Sequence, residues 1–511
     1  MSSKVPVVGR SRSIKRLWSY LRLEFDSAAG RKILAILVCL CCPVANLAFG
    51  QSSGSRPNIL LIFPDQLRAQ ALGCMGNPDV RTPNLDRLAA EGILFRQTLA
   101  NTPVCCPARA NLLTGKYAHR NGMIANDLRL RESETTLAEL LRQAGYRTGF
   151  IGKWHLDGGK RLPGFVPPGS RRQGFEFWAA NECSHTHFDT QYFRDTNTPI
   201  PTQRFETEAW TDIAIEFLHE TRGQPFFLMI AMGPPHYPYG APERYMKMYD
   251  PKRLKLRRNW VEGIKGAGRE EIAAYYAATT TVDDQVGRLI QALKDSNRAE
   301  DTIVLVTSDH GDMLGSQGAR LKRKPWEESI RVPGILRYLR SVKPGQRLET
   351  LLTHVDIAPT LLALCGLSIP SKMQGSDLSR IVLGKSKKGP DSAFFQIFVP
   401  YAGDGTEFPW RGVRTERYMY ARSETKPWVL YDLRKDPDEL NNLATNTSTA
   451  SIRAEMERKL SQWMTRTEDS WSMNSMAPVE DQGRLYRFET FYTIEEYLKW
   501  AAVNSSLVPK D

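Results

Sequence analysis

The amino-acid sequence predicts an α/β fold in which a large mixed, mostly parallel sheet is sandwiched by helices, followed by a smaller C-terminal α+β subdomain. Continuous apolar runs, typical of strands buried on both faces, occur at 58–63, 225–232 and 302–307. Segments with helical spacing separate these runs, and such alternation of strands and helices favours a parallel sheet. Beyond residue 366 the pattern changes to short strands and one helix.

Each element is predicted from its local pattern, taken in chain order. The predicted strands are 58–63, 148–152, 225–232, 302–307, 393–398, 411–421 and 427–432. The predicted helices are 82–89, the segment after Cys105, 135–144, 207–220, 269–295 and 449–465. Pro83 suits a first helical position, and Gly145 suits a helix end. The segment 157–205 is rich in Pro, Gly and aromatic residues and lacks periodicity, which favours a substrate-facing insertion.

The N-terminal segment has the pattern of a secretory signal peptide. Its first 32 residues contain eight Lys or Arg and two acidic residues, and the apolar run Ile33–Cys42 follows. Ala48 and Gly50 are small residues at the two positions that define a cleavage site. Because the apolar run is short for a membrane-spanning helix, we expect export to the periplasm or the medium, with no stable membrane insertion after cleavage.

The remaining chain is expected to form one large domain and one smaller domain. The predicted regions are a signal peptide with a long basic n-region (1–50), a linker (51–56), a catalytic domain (57–366), a C-terminal α+β subdomain (367–480) and a tail (481–511). The content of hydrophobic residues, 41%, and of charged residues, 24%, is ordinary for a soluble enzyme. The formal net charge is +13, and removal of the n-region, with eight basic and two acidic residues, takes away six charges and leaves about +7. A basic surface suits an anionic substrate, and no motif indicates nucleic-acid binding.

Four apolar runs end in polar residues that can do chemistry. These residues are Asp65 and Gln66, Lys153 and His155, His236, and Asp309 and His310. Since ligands bind at the carboxyl ends of the strands in open α/β sheets, we expect these side chains to converge. Asp65 and Asp309 offer hard oxygen ligands and Gln66 a neutral one, which suit Ca²⁺ or Mg²⁺ rather than a soft metal.

One motif, Cys105-x-Pro107-x-Arg109 followed by Leu-Thr-Gly at 113–115, has the pattern of a loop entering a helix. Free N–H groups at the helix start and the guanidinium of Arg109 favour an anion beside Cys105. The spacing resembles the signature of the type I, formylglycine-dependent sulfatases of the alkaline phosphatase superfamily. Ala108 stands where that family usually has Ser. The resemblance implies that a formylglycine-generating enzyme oxidises Cys105 to formylglycine (3-oxoalanine).

Further segments resemble sulfatase motifs in the order in which the family has them. These segments are 57–65, 152–156, 235–238, 308–312, 324–333, 356–360 and 431–443. An ordered set of motifs is far more specific than any single one, and the resemblance covers roughly residues 56–465.

The resemblance also implies a catalytic site and one bound cation, Ca²⁺ being usual in the family and Mg²⁺ less expected. The implied metal ligands are Asp65, Gln66, modified Cys105, Asp309 and His310. The implied catalytic residues are Cys105, Arg109, Lys153, His155, His236, His310 and Lys324. Arg109, Lys153 and Lys324 would neutralise the charged oxygens of a sulfate group. A protonated His236 or His155 would donate a proton to the departing alcohol, and we favour His236.

The sequence therefore predicts a sulfuric ester hydrolase that releases inorganic sulfate, with a sulfated polysaccharide or oligosaccharide as the expected substrate of an exported enzyme. A phosphonate monoester or phosphodiester hydrolase of the same superfamily is the main alternative, since some of these enzymes also use formylglycine and an Asp-Gln pair. An inactive exported module that binds sulfated glycans through its basic surface is the other alternative.

Overall fold

The computed structural model describes residues 56–158, 162–221, 223–399 and 401–471, together with two short strands at 479–481 and 484–486. The predicted signal peptide lies outside the described residues, as do most of the predicted linker and most of the predicted tail. Within the described ranges, no helix is both long enough and apolar enough to cross a membrane.

Two main sheets and a set of helices form the described chain. In chain order the strands are β1 (Asn58–Ile62), β2 (Ile93–Leu99), β3 (Arg147–Lys153), β4 (Phe177–Asn181), β5 (Gln191–Tyr192), β6 (Ile200–Pro201), β7 (Phe226–Ala231), β8 (Thr302–Val306), β9 (Arg331–Val332), β10 (Ile335–Arg337), β11 (Gln346–Thr353), β12 (Ala393–Ile397), β13 (Trp410–Arg414), β14 (Tyr418–Arg422), β15 (Pro427–Asp432), β16 (Val479–Asp481) and β17 (Arg484–Tyr486). The helices are α1 (Pro83–Glu91), α2 (Cys105–Thr114), α3 (Ala118–Asn121), α4 (Leu137–Gln143), α5 (Glu206–Glu220), α6 (Glu243–Met246), α7 (Arg269–Asp295), α8 (Glu327–Ile330), α9 (His354–Leu364), α10 (Ser379–Val382) and α11 (Ala450–Thr467).

The larger sheet has nine strands in the order β11-β2-β10-β8-β1-β7-β3-β4, with β9 paired to β2. The strands from β8 to β4 run parallel, whereas β10 is antiparallel to both of its neighbours. This arrangement confirms the predicted mixed, mostly parallel sheet.

The central strand β1 is buried on both faces, as its continuous apolar sequence predicts. Leu60 and Ile62 point into one core, which they share with apolar residues of α5 and α7. Ile59 and Leu61 point into the other core, which they share with residues of α2, α4 and α9. The strand therefore holds both helical layers, and the start of α2 is fixed beside its carboxyl end.

The C-terminal part contains the antiparallel sheet β12-β13-β14-β15 and the helix α11. The predicted single strand at 411–421 is wrong in one respect, because the structure has two strands here, β13 and β14. A polar turn separates them, in which the Thr415 hydroxyl accepts hydrogen bonds from the N–H groups of Arg417 and Tyr418. Leu99 and Val104 of the first part share a core with this sheet.

The predicted insertion at 157–205 belongs in part to the main sheet. Its segment Phe177–Asn181 is β4, which pairs in parallel with β3 at the sheet edge. The short antiparallel pair of β5 and β6 follows. A five-residue strand inside an aperiodic stretch gives too little alternation for sequence reasoning to detect.

Gly152 offers a test of how tightly β3 is held beside β7. Its φ of +101° is a left-handed conformation, and a Cβ here would lie 2.1 Å from the carbonyl oxygen of Ala231. We expect Gly152→Ala to lower the free energy of unfolding by roughly 2–5 kcal/mol, through both backbone strain and overpacking. Gly145, with φ +87° and open space around it, is the matched control. Gly145→Ala should lower the free energy of unfolding, measured with urea, by only about 1–2 kcal/mol. Equal decreases for the two variants would contradict this account.

Candidate active site

The carboxyl ends of the parallel strands bring the predicted polar residues together. Asp65 follows β1, Lys153 ends β3, and Asp309 follows β8. Cys105 starts α2, whose first turn also carries Arg109. These five side chains are all buried, and the contacts described below join them into one cluster.

Cys105 lies at the centre of this cluster. Its Sγ is 3.4 Å from Nε2 of His310, 3.9 Å from Oδ1 of Asp65 and 2.9 Å from Nζ of Lys322. Burial raises the pKa of the thiol, but the positive charges of Lys322 and Lys153 outweigh that effect and hold the pKa of Cys105 well below its usual range. The surroundings therefore favour a negative charge at this position.

Four of the five predicted metal ligands have their ligand atoms close together. Asp65, Cys105, Asp309 and His310 each offer one atom, and these atoms all lie within 4.8 Å of one another. The Nδ1–H of His310 donates to the carbonyl oxygen of Gly311 at 2.9 Å, so the Nε2 lone pair faces the cluster. Two carboxylates with a nitrogen and a sulfur or oxygen donor fit a divalent cation.

Arg109 and Lys153 neutralise the two carboxylates. The guanidinium of Arg109 donates to Oδ2 of Asp65 at 3.1 Å and to Oδ2 of Asp309 at 3.3 Å, and Lys153 Nζ donates to Oδ2 of Asp65 at 2.8 Å. Burial and Cys105 raise the pKa of Asp65, but Lys153 and its other cationic neighbours hold it well below its usual range. Burial and the adjacent Asp65 raise the pKa of Asp309. Oδ1 of Asp65 remains directed at Cys105 and His310.

Gln66 is oriented by a neighbour that the sequence did not reveal. Its Nε2 donates to Oδ2 of Asp312, which also accepts a hydrogen bond from the hydroxyl of Tyr239 at 2.6 Å. Since a carboxylate accepts only from the amide nitrogen, Oε1 of Gln66 faces Lys322, at 3.4 Å from Nζ. Its backbone N–H donates to Asp309 at 2.9 Å. Gln66 therefore presents an oxygen at the edge of the cluster.

Lys322 is a residue that sequence reasoning missed, and Lys324 is the one it selected. Lys322 Nζ lies 2.9 Å from Nε2 of His310 and 3.4 Å from Nε2 of His236, in addition to its contact with Cys105. The structure does not bring Lys324 into this cluster, because its Nζ donates to the hydroxyl of Thr406 at 2.9 Å. The two lysines are close in sequence, and the ordered motif begins at Lys324, whereas the contact with Cys105 is made by Lys322.

His236 lies at the mouth of the cluster and is half-buried. Its ring stacks on that of His185, with centroids 4.5 Å apart and an interplanar angle of 16°. Burial is the main cause that lowers the pKa of His236 to about 4, and Lys322 adds to the effect. The ring is therefore neutral near pH 7 in the structure as it stands. His185 lies in the aperiodic segment 157–205, where no pattern singled it out.

A second histidine, His187, holds the backbone of His236. Its Nε2 lies 3.0 Å from the carbonyl oxygen of His236, and its Nδ1 lies 2.8 Å from a carboxylate oxygen of Glu206. Because both partners are acceptors, both ring nitrogens donate, which requires the protonated form. Glu206 also accepts the N–H of Gly233 at 2.7 Å. The pair of His187 and Glu206 therefore fixes the loop that carries His236.

His155 occupies a deeper position than His236. It is buried, and its Nε2 lies 3.3 Å from Oδ1 of Asp127. Burial lowers the pKa of His155, but Cys106, Cys183 and the hydrogen bond to Asp127 raise it well above its usual value. Of the two predicted proton donors, His155 is thus the buried one.

His354 supports the loop that carries Asp309, and its buried ring makes the stability of the protein depend on pH. Its Nε2 donates to the carbonyl oxygen of Ser308 at 2.8 Å, and burial lowers the pKa of His354 to about 4. The unfolded chain binds this proton near pH 6.5, so the contribution of neutral His354 to the free energy of unfolding is fully present above that pH. As the pH drops from 6.5 towards 4, the free energy of unfolding falls by about 3 kcal/mol. His354→Gln should remove this part of the fall, measured by urea unfolding across the range. Equal pH dependence in both proteins would contradict the buried neutral state.

The amino-acid sequence of this chain is similar to those of known proteins over most of its length. Residues 57–367 match the family model described as Sulfatase, and residues 315–466 match the model described as N-sulphoglucosamine sulphohydrolase, C-terminal. An ulvan-active sulfatase from Formosa agariphila is 36% identical over 428 residues, which cover 82% of this chain and 83% of the relative.

Solved structures share the fold over nearly their whole length. One solved structure is that of a protein in complex with its substrate D-glucosamine-2-N,6-O-disulfate. That protein is 25% identical in sequence to this chain, the TM-score is 0.73, and the match covers 81% of this chain and 99% of that chain. A phosphonate monoester hydrolase from Agrobacterium radiobacter is also 25% identical, with a TM-score of 0.68, and the match covers 84% of this chain and all of that chain.

Proposed function

The chain belongs to the sulfatase family of the alkaline phosphatase-like superfamily, and on that premise we propose that it releases inorganic sulfate from a sulfated polysaccharide or oligosaccharide, with a formylglycine made from Cys105 as nucleophile. The observation that carries the proposal is the position of Cys105. Its Sγ is buried at the start of α2, among carboxylates and cations that favour a negative charge there. A formylglycine at this position supplies, as a hydrated aldehyde, one hydroxyl to attack sulfur and a second to expel sulfate.

We propose that one divalent cation, Ca²⁺ before Mg²⁺, is held by Asp65, Asp309, His310, residue 105 and Oε1 of Gln66. The support is the donor set, since the ligand atoms of four of these groups lie within 4.8 Å of one another. Lys322 Nζ contacts three of the five groups, which supports a position beside them where positive charge is favourable. When bound, the cation supplies positive charge that lowers the pKa of a neighbouring hydroxyl.

The basic side chains around Cys105 are suited to bind a sulfate group. Arg109, Lys153 and Lys322 reach the cluster from α2, β3 and a loop, so they surround it from different sides. Their charges are fixed before substrate arrives, which is the arrangement that stabilises charge developing on sulfate oxygens. We propose Lys322 for the role that the sequence assigned to Lys324.

His236 is the proton donor that we propose for the departing alcohol. Of the two predicted donors it is the one that is only half-buried, which suits contact with a leaving group. The free ring is neutral at pH 7, but a bound sulfate ester brings a negative charge beside it and raises its pKa. His187 and Glu206 hold the loop in position for this transfer.

The phosphonate monoester hydrolase likeness keeps phosphoryl transfer as the second candidate. The Asp65-Gln66 pair agrees with it, since some of these hydrolases also use an Asp-Gln pair. A phosphonate monoester and a sulfate ester each carry one negative charge, so the charge of the site does not separate the two reactions. The two reactions share the nucleophile and the cation, so only turnover of matched esters separates them.

The decisive experiment combines mass spectrometry of the peptide across Cys105 with a sulfate-release assay. We expect the mass of the aldehyde, release of sulfate from sulfated oligosaccharides, and loss of release after chelation that added Ca²⁺ restores. Cys105→Ala should abolish turnover, a loss of at least about 10⁴-fold, and leave the fold unchanged. An unmodified thiol in a host that performs the modification, or faster turnover of a phosphonate ester than of every sulfate ester, would contradict the proposal.

Lys322 and Lys324 form a matched pair of variants. Because Lys322 Nζ is 2.9 Å from Cys105 Sγ, Lys322→Met should lower kcat/KM for sulfate release by about 10²–10³-fold. Lys324→Met removes the same charge from a side chain that contacts Thr406 instead, and we expect a loss of about tenfold or less on a small aryl sulfate. The reverse order of the two losses would return the sulfate-binding role to Lys324.

A further inference from the structure

A cavity of about 440 Å³ lies beside the candidate active site and is not part of it. Arg320 and Lys324 both line this cavity. Between them in sequence, Lys322 turns the other way and reaches Cys105 Sγ at 2.9 Å. One short loop therefore contributes side chains to both places. The volume lies in the range of small-ligand sites, about 300–1,000 Å³.

The two basic residues of the cavity have no carboxylate partner among the described residues. The guanidinium of the half-buried Arg320 lies over the ring of Tyr237, 5.9 Å from its centroid, and no ion pair involves it. The ammonium group of the buried Lys324 donates to the hydroxyl of Thr406 and likewise has no ion pair. Cations removed from water without a counter-charge carry a desolvation cost, which an anion bound here would offset.

Two acidic residues also line the cavity, and neither cancels this positive charge. Asp404 is paired with Arg323 at 2.6 Å and accepts hydrogen bonds from Thr406, so its charge is already compensated. Glu407 is exposed, so water screens it. Burial lowers the pKa of Lys324 to about 8, and the attraction of Asp404 and Glu407, which raises it, does not offset that effect. The cavity thus has a surplus of positive charge.

An aromatic cluster forms another wall of the cavity. Trp428 packs edge-to-face against Phe408, with centroids 4.9 Å apart, and against Trp326 at 5.7 Å. All three rings are partly exposed and line the cavity. The indole N–H of Trp326 donates to the hydroxyl of Tyr431 at 3.2 Å, which fixes its ring. Exposed aromatic faces held in fixed positions are suited to pack against the C–H face of a pyranose ring.

We propose that this cavity binds an anionic sugar unit linked to the unit whose sulfate ester is cleaved at Cys105. The sugar ring packs on the cluster of Trp326, Phe408 and Trp428, and its anionic substituent meets Arg320 and Lys324. A carboxylate and a second sulfate share this chemistry. The inference rests on the proposed function, since it assigns a neighbouring subsite to the same substrate.

The test compares sulfated disaccharides that differ only in the sugar next to the sulfated unit. One carries a uronic acid, one carries the same sugar with its carboxyl reduced to an alcohol, and one carries a second sulfate instead. We expect wild-type protein to prefer the anionic forms, and Arg320→Met to lower the ratio of kcat/KM for the uronate form over the reduced form by about tenfold. The anionic disaccharide whose kcat/KM falls most in Arg320→Met identifies carboxylate or sulfate as the substituent.

Two further variants sharpen the result. Arg320→Lys keeps the charge and should keep most of the preference. Glu407→Gln removes a negative charge from the rim and should raise the preference for the anionic forms. A wild-type protein that treats the reduced and anionic disaccharides alike, or a Glu407→Gln change that lowers the preference, would overturn the inference.

A binding measurement separates failure of this inference from failure of the proposed function. In the Cys105→Ser protein, calorimetry reports affinity for the uronate disaccharide without turnover. If wild-type protein releases no sulfate, the proposed function fails, and the cavity is judged by calorimetry alone. A fall in affinity of about tenfold on adding Arg320→Met would support the subsite, and an unchanged affinity would overturn it.

Discussion

The candidate active site depends on the buried guanidinium of Arg109, which holds two carboxylates at the ends of two different strands. Asp65 follows β1 and Asp309 follows β8, and both accept from the same guanidinium. The other end of the group donates to the carbonyl oxygen of Lys153 at 2.6 Å, at the end of β3. Helix α2 is thereby joined to three strand ends. Without this cation the carboxylates would be buried like charges, which a protein interior does not tolerate.

The same constraint explains why the cluster is so rich in ions. Asp65 and Asp309 set the negative charge, and the cationic side chains of Lys153 and Lys322 join Arg109 to balance it. A thiol placed among these cations acquires a lowered pKa, as Cys105 does. A divalent cation and a sulfate group add opposite charges to this balance, so a site with fixed charges of both signs can accept them together.

The sequence predicts this site well wherever regular structure determines the position of a side chain. Asp65 and Asp309 follow apolar runs of the length and composition of buried strands, so their convergence follows from sheet topology. The sequence does not predict which of Lys322 and Lys324 reaches the cluster. Leu321 and Arg323, on either side of Lys322, have positive φ values of 58° and 68°. Such turns abolish the alternation of side chains that an extended segment would show. No pattern in the sequence encodes them.

The same distinction separates the cluster around Cys105 from the neighbouring cavity. The cluster stands on strand ends and on the first turn of α2, whereas the cavity is built from the loops around Arg320 and Phe408. These loops are nevertheless fixed to the core, because the indole N–H of Trp410 in β13 donates to the carbonyl oxygen of Arg323 at 2.8 Å. The C-terminal sheet therefore positions the loop that carries Lys322. One side of this loop faces the cluster around Cys105, and the other side faces the cavity. Changes in that sheet can therefore alter the proposed subsite without moving the carboxylates that Arg109 holds.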